Sequence, residues 1–380
     1  MKKVSLILAV MLISLVGFSQ ENLSEDFQNA GHKMLGENIA KGLTIGGYAQ
    51  LDYNEPDGSE AGNLDVHRMV LLFGYKFNEK VSFVSEIEYE HVEEVYVEQA
   101  YLKYKVNQNV NVLAGLMLVP MGIINEFHEP TTFYGVERPN VDNVIVPTTW
   151  RELGVGVSGN IDNASLKYQA YLFNGFKSYV DGFGALRGSD GLRKGRQKGA
   201  ESVVSSPNFS AKLDYYGIRG LRLGVSGYFG KTQTDDTSIE ASTVGVSMIG
   251  LDARYKYNDL ELRGQYITTT LNDTEAYNTL TGKDLGSKMN GMYAEVAYNF
   301  DLKGVEKLTP FVRYEKYNTH ADTEGALVAN KAFDKDELIF GLNYKVAEGA
   351  AFKVDYQLVN NGISGSDTSK QFNAGVAIWF

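Results

Sequence analysis

Residues 371–380 read QFNAGVAIWF and end on two large side chains, Trp379 and Phe380. In an extended chain Phe372, Ala374, Val376, Ile378 and Phe380 share one face, and Gln371, Asn373, Gly375, Ala377 and Trp379 share the other. That period of two belongs to a β-strand with unlike sides. A terminal strand that is not tied down would leave such an apolar face in water, so this face is expected to be covered.

Composition narrows what could cover it. The 380 residues include 40 Gly, 24 Tyr and 19 Phe but only 7 Pro and no Cys, a profile rich in strand and turn formers. Without cysteine there is no disulfide framework, no thiolate metal site and no Cys nucleophile. The formal net charge is −11, and removal of Lys2 and Lys3 with a leader makes it −11 − 2 = −13. Such acidity argues against a nucleic-acid partner.

Residues 1–20, MKKVSLILAVMLISLVGFSQ, carry a basic start, an apolar run over 4–16 and small residues Gly17 and Ser19. This is the pattern of a signal peptide cleaved near Ser19/Gln20. The apolar run is shorter than the ~20 residues a membrane-spanning helix needs. Residues 21–42, mixed in polarity, read as an N-terminal periplasmic segment in which Ser24 could open a short helix. No later apolar stretch reaches spanning length, so membrane insertion would require a closed β-barrel, the other structure that satisfies every backbone group in lipid.

The remainder alternates in polarity in sixteen segments, at 43–53, 64–77, 80–91, 94–106, 109–118, 150–159, 164–173, 208–216, 220–230, 243–257, 259–270, 288–300, 308–318, 335–346, 349–359 and 370–380. Tight breaks such as Asn78-Glu79, Asn107-Gln108, Asn258-Asp259 and Ala347-Glu348 alternate with long ones at 119–149, 174–207, 231–242, 271–287 and 319–334. The expected fold is all-β: a transmembrane antiparallel β-barrel of sixteen strands over 43–380, with short periplasmic turns and long external loops. A β-sandwich shows the same alternation. Strand length favours the barrel, as do aromatic pairs at strand ends (Tyr101/Tyr104, Tyr255/Tyr257, Tyr298/Phe300, Tyr314/Tyr317) where interfacial girdles would lie. Lipid would then cover the apolar face of the last strand.

Four stretches carry a closer likeness: GGYAQLDY in the first strand, EFHEPTTFYGVERPNVDNVIVPTTWRELGVG across the long 119–149 break, GLRKGRQKG in the next break, and AGVAIWF at the end. With these the sequence resembles the phosphate-selective porin O and P family of outer-membrane porins, as they occur in Bacteroidetes-type bacteria. The resemblance implies a passive diffusion channel in a Gram-negative outer membrane, commonly trimeric, whose third loop folds inward and narrows the pore. A terminal Phe also resembles the signal read by the outer-membrane assembly machinery.

A loop as long as 119–149 is more than a connection. Four prolines stiffen it and Phe127, Phe133, Tyr134 and Val136 give it packing groups. As a constriction it offers Glu126, His128, Glu129, Glu137 and Arg138 to a solute; the plainer reading is a loop that caps the wall. His128 between Glu126 and Glu129 lacks further ligands at convincing spacing, so no metal is expected there. The 174–207 loop holds Arg187, Arg193, Lys194, Arg196 and Lys198 among glycines. Near a pore mouth these would concentrate anions such as phosphate; as a solvated external loop they would meet lipopolysaccharide or nothing.

By parity the lumen receives Arg68, Lys103, Lys212, Arg222, Arg254, Arg263, Arg313 and Lys353, together with Glu86, Glu88, Glu152, Asp214, Asp252, Glu261, Glu295, Glu315 and Asp355. The two signs nearly balance. Opposed charges across a wet lumen suit a general pore for small hydrophilic solutes, and inward positions read as mostly charged or small rather than bulky and apolar. GVGVSG (154–159) matches a dinucleotide fingerprint in form but lies within a strand with no helix after it, so no cofactor is expected. Two alternatives remain: a non-conducting surface barrel, adhesin or structural, acting through its loops, and an enzyme such as a lipase. The second would need a serine elbow with a histidine and an acid at the outer rim, and the five histidines offer no such set.

Overall fold

The structure, a computed structural model, describes residues 41–380. The expected signal peptide, and the N-terminal segment up to residue 40, lie outside the described residues. The rest forms a closed sixteen-stranded antiparallel barrel. Its strands are β1 (Gly42–Pro56), β2 (Asn63–Lys76), β3 (Val81–Glu90), β4 (Glu94–Asn107), β5 (Val110–Leu118), β6 (Arg151–Ile161), β7 (Leu166–Phe173), β8 (Asn208–Ile218), β9 (Leu221–Lys231), β10 (Gly245–Tyr257), β11 (Leu260–Asn272), β12 (Lys288–Tyr298), β13 (Lys307–Asp322), β14 (Asp334–Ala347), β15 (Ala350–Asn361) and β16 (Ser369–Trp379). Sequential strands pair as hairpins, and β16 returns to β1.

The seam answers the question posed by QFNAGVAIWF. Tyr48 pairs with Trp379 and Pro56 with Gln371, and the Gly47 and Phe380 backbones exchange two hydrogen bonds of 2.9 Å. Closing the sheet leaves no unpaired edge, which lipid could not satisfy. The alternation is plain in β12: Met292, Ala294, Val296 and Tyr298 face outward, while Met289, Gly291, Tyr293, Glu295 and Ala297 are buried inward. In two of the aromatic pairs the girdle expectation needs correction. Tyr101 and Tyr317 are buried inside, whereas Tyr104 and Tyr314 are exposed outside, because a spacing of three puts the partners on opposite faces of a strand.

Two β-bulges disturb the parity near the seam. Gln50 pairs with Arg68 but Asp52 with Asp65, so β2 holds one extra residue there. Glu86 pairs with Gln99 but Ile87 with Val97, which makes Glu98 the extra residue of β4. A bulge re-aims the side chains beside it, and here it turns His67 and Glu98 inward.

The lumen is partly filled. L3 (119–150) folds inside, with Val119, Met121, Ile123, Ile124, Val141, Ile145 and Val146 buried in one cluster with wall residues Tyr171, Phe173, Tyr228, Met248, Ile267, Leu271 and Met289. L4 (174–207) joins that cluster through Phe176, Leu186 and Leu192. The loop expected to lie outside is thus packed within the barrel, and the expectation of inward residues that are charged or small holds for only part of the wall. An inward-folded loop needs an apolar seat, and burial at about 25 cal/mol per Å² of apolar surface is what holds it there.

Candidate functional site

The position of L3 is set by polar groups of the wall as well as by apolar ones. Lys353 Nζ donates to the carbonyls of Pro130, Phe133 (2.7 Å) and Gly135 (2.9 Å). Asp355 Oδ2 accepts from the Val136 N–H at 2.7 Å, and Glu315 Oε2 from the Val141 N–H at 3.0 Å. Arg263 Nη1 donates to the Thr132 carbonyl at 2.9 Å and Lys212 Nζ to that of Gly122 at 2.5 Å. Hydrogen bonds to charged groups are worth about 1.5–3 kcal/mol each, so these clamps fix the loop far more firmly than its prolines do alone.

The lumen charges placed by parity therefore divide into two groups. Lys212, Arg263, Arg313, Lys353, Glu315 and Asp355 grip the loop or its neighbours; Arg313 also pairs with Glu315 at 2.7 Å and Glu295 at 3.3 Å. Arg222 holds Asp214 at 2.8 Å, Arg254 lies over the Phe127 ring at 4.6 Å, and Glu261 accepts from Asn299 Nδ2 at 3.0 Å. Lys103 is half-buried near the far end of β4. They form no free field across a wide channel, because the loop occupies the space between them.

Three of the five expected constriction residues are likewise buried between loop and wall. Glu126 accepts from Gln169 Nε2 at 2.7 Å, and Glu129 is 1% exposed. His128 Nδ1 lies 3.1 Å from the Asn125 carbonyl, and its Nε2 lies 3.1 Å from Glu98 and 3.4 Å from Glu86. Glu86 in turn accepts from Tyr48 Oη at 2.7 Å and Gln99 Nε2 at 2.5 Å. Burial alone would depress the His128 imidazole, but the Glu98 and Glu86 carboxylates outweigh it and push its pKa up to about 10. His128 is thus a cationic clamp rather than a group that meets solute.

Among the described residues a cavity of about 800 Å³ lies beside L3. Glu137 and Arg138 line it, as do Arg193, Arg196 and Lys198 of L4, Arg68 of β2 and Arg151 of β6. Arg187 and Lys194 do not; Arg187 is held by Asp190 at 2.8 Å. Eight Lys and Arg side chains line the cavity against six Asp and Glu, in a chain that is strongly acidic overall.

The partners of the cations matter more than the count. Arg193 Nη1 donates to the Asn143 and Thr148 carbonyls at 3.0 and 2.7 Å, and Arg196 Nη1 to those of Pro147 and Thr149 at 3.0 and 3.3 Å. Backbone carbonyls orient a guanidinium without neutralising it. Burial, and then Arg138, bring the Arg193 pKa down to about 10; burial, and then Arg193, bring that of Arg196 down to about 9. Lys198 is lowered by burial and by Arg196. The face built by L3, L4 and the start of β6 is a crowd of cations that repel one another, the condition an anion relieves.

The sequence profile of the phosphate-selective porin O and P family matches residues 43–374. The chain belongs to that family. The porin is 36% identical over 338 residues to an uncharacterized protein of Aquifex aeolicus, covering 84% of this chain and 76% of that one. Its fold is similar to that of an anion-selective porin from Comamonas acidovorans (12% identity, TM-score 0.57, covering 89% of this chain and 99% of that one). It is also similar to Salmonella typhi OmpF, solved with daunomycin (13% identity, TM-score 0.57, 89% and 97% covered). A third likeness is to the outer membrane channel DcaP of Acinetobacter baumannii (11% identity, TM-score 0.56, 89% and 97% covered). The porin is an outer-membrane channel for small solutes in a Gram-negative bacterium.

Several residues of the site escaped the parity reading. Glu98 and His67 sit at the bulges, which a strict period of two counts as outward. Arg151 was passed over for its neighbour Glu152, although both are buried at the start of β6. Lys335 and Glu337 also line the cavity, from the start of β14.

Proposed function

We propose that this porin is a passive channel that favours small anions such as phosphate, selected at the face formed by Arg138, Arg151, Arg193, Arg196 and Lys198. The observation that carries the reading is that Arg193 and Arg196 face the cavity while donating to backbone carbonyls, four of L3 and, from Arg196 Nε, that of Arg193, so their charge stays available to a solute. Arginine donors in a partly desolvated cavity suit phosphate geometry, and a face of clustered cations concentrates anions beside it even though carboxylates line other parts of the cavity. L4 thus supplies three of the five cations, and L3 supports them and adds Arg138. Like the family at large the porin is taken to work as a homotrimer, to meet lipopolysaccharide at its external loops and to be a client of the outer-membrane assembly machinery.

The apolar packing of L3 and L4 inside the barrel favours a second reading, a surface barrel too full to conduct. Planar-bilayer recording of the purified protein separates the two. Stable steps with an anion-leaning reversal potential and block by added phosphate support the channel; folded protein that gives no steps supports the plugged barrel.

A further inference from the structure

Among the described residues, histidine and carboxylate ligand atoms converge at two places: Glu86, Glu98 and His128, and Asp52, His67 and Glu137. The first is closed. His128 is spoken for by two carboxylates, and Glu98 also faces Arg151 at 3.3 Å. The second opens on the cavity, which His67 and Glu137 line.

We propose that Asp52, His67 and Glu137 form a binding site for a divalent first-row transition metal of the Zn²⁺ type, which ties L3 to the barrel wall at the edge of the pore. The three ligand atoms lie within 4.8 Å of one another, the span of a common first shell with metal–ligand distances of about 2.0–2.2 Å. One imidazole and two carboxylates make a borderline nitrogen and oxygen set that suits Zn²⁺ and its neighbours. Their formal charge of −2 matches the ion, and the cavity supplies water for the remaining positions.

Three features show a built site rather than a chance gathering. The β2 bulge exists where it turns His67 into the lumen, 3.1 Å from Asp52 Oδ2. Asp52 is 2% exposed and its Oδ1 has no hydrogen-bond partner, a buried acceptor of the kind that costs about 1–3 kcal/mol when left unmade. Outer partners orient both carboxylates: Gln50 Nε2 donates to Asp52 Oδ2 at 2.7 Å and Asn54 Nδ2 to Glu137 Oε1 at 3.2 Å, the supporting shell that metal ligands need. A bound divalent ion would cancel the negative charge opposite the arginine face and hold the L3 residue next to Arg138. That consequence rests on the proposed anion selectivity; the binding itself does not.

The test is Zn²⁺ titration of the folded full-length porin in detergent by calorimetry, with Co²⁺ in place of Zn²⁺ as a spectroscopic probe. The expected result is one ion per chain, with affinity weakened at least about tenfold by His67→Gln and by Glu137→Gln and unchanged by His91→Gln on the neighbouring ring. Should either variant fail to fold, the wild type decides alone: Co²⁺ must give a d–d absorption that saturates at one equivalent. No stoichiometric binding, no such absorption, or binding that survives both substitutions would overturn the proposal. Reversal potentials with and without Zn²⁺ then separate the two readings. Binding without a shift toward anions leaves the metal site standing and removes the selectivity reading.

Discussion

His128 Nε2 lies 3.1 Å from Glu98, a carboxylate that reaches the lumen because β4 carries a bulge at that residue. The contact joins the inward loop to the wall at a point where neither side chain can reach water. Removing one partner of a buried pair leaves the other charge uncompensated, at a cost of about 3–5 kcal/mol. His128→Ala should therefore loosen L3 and lower the thermal transition of the barrel by several degrees, read by heat-modified migration on gels. A transition unchanged by the substitution would remove the clamp from the account.

The same pair sets a pH dependence. The folded His128 pKa is raised to about 10 from an ordinary value of about 6.5. Its contribution to stability is thus fully present below about 6.5 and is lost as pH rises through about 10. Tyr48, Glu86, Glu98 and Arg151 face or adjoin the ring from β1, β3, β4 and β6, and His128 is the loop's own charge among them. The difference in melting temperature between wild type and His128→Gln should shrink steadily from pH 7 to alkaline pH. A constant difference across that range would contradict it.

Lys353 offers a second handle on the loop. With Lys353→Met three buried carbonyls of L3 lose their donor, and each orphaned acceptor costs about 1–3 kcal/mol. The barrel itself keeps its strand pairing, so the expected phenotype is a folded channel with noisy, multi-level conductance. Quiet steps like those of wild type would show that apolar packing alone holds L3.

At the seam, Gly47 is required by space rather than by a turn. A Cβ there would overlap the Val70 carbonyl and lie 2.8 Å from Phe380 Cζ. Overpacking of this kind costs about 1–3 kcal/mol. Gly47→Ala should lower the yield of heat-modifiable barrel refolded in detergent, where the assembly signal has no part, and pairing it with Phe380→Ala should recover only the part owed to the ring.

Most of the barrel was legible in the sequence because lipid outside and charge inside impose a period of two, as β12 and the final strand show. What the period could not show was any residue off that period. His67 and Glu98 fall at bulges, where one extra residue flips the parity. L4 misled for another reason: glycines and arginines look solvated, and the partners that draw Arg193 and Arg196 inward are mostly carbonyls of L3, which no spacing encodes. The apolar Phe176, Leu186 and Leu192 scattered through that loop were the available signal, since a solvated loop has no use for them.

An L4 folded into the barrel and supported by L3 sets the selectivity proposed for the pore. The most direct measurement is the single-channel reversal potential under a KCl gradient for wild type and for Arg193→Ser/Arg196→Ser. The wild type should show an anion preference that falls at least about twofold in the variant, with loss of phosphate block. Identical reversal potentials in the two folded channels would contradict it.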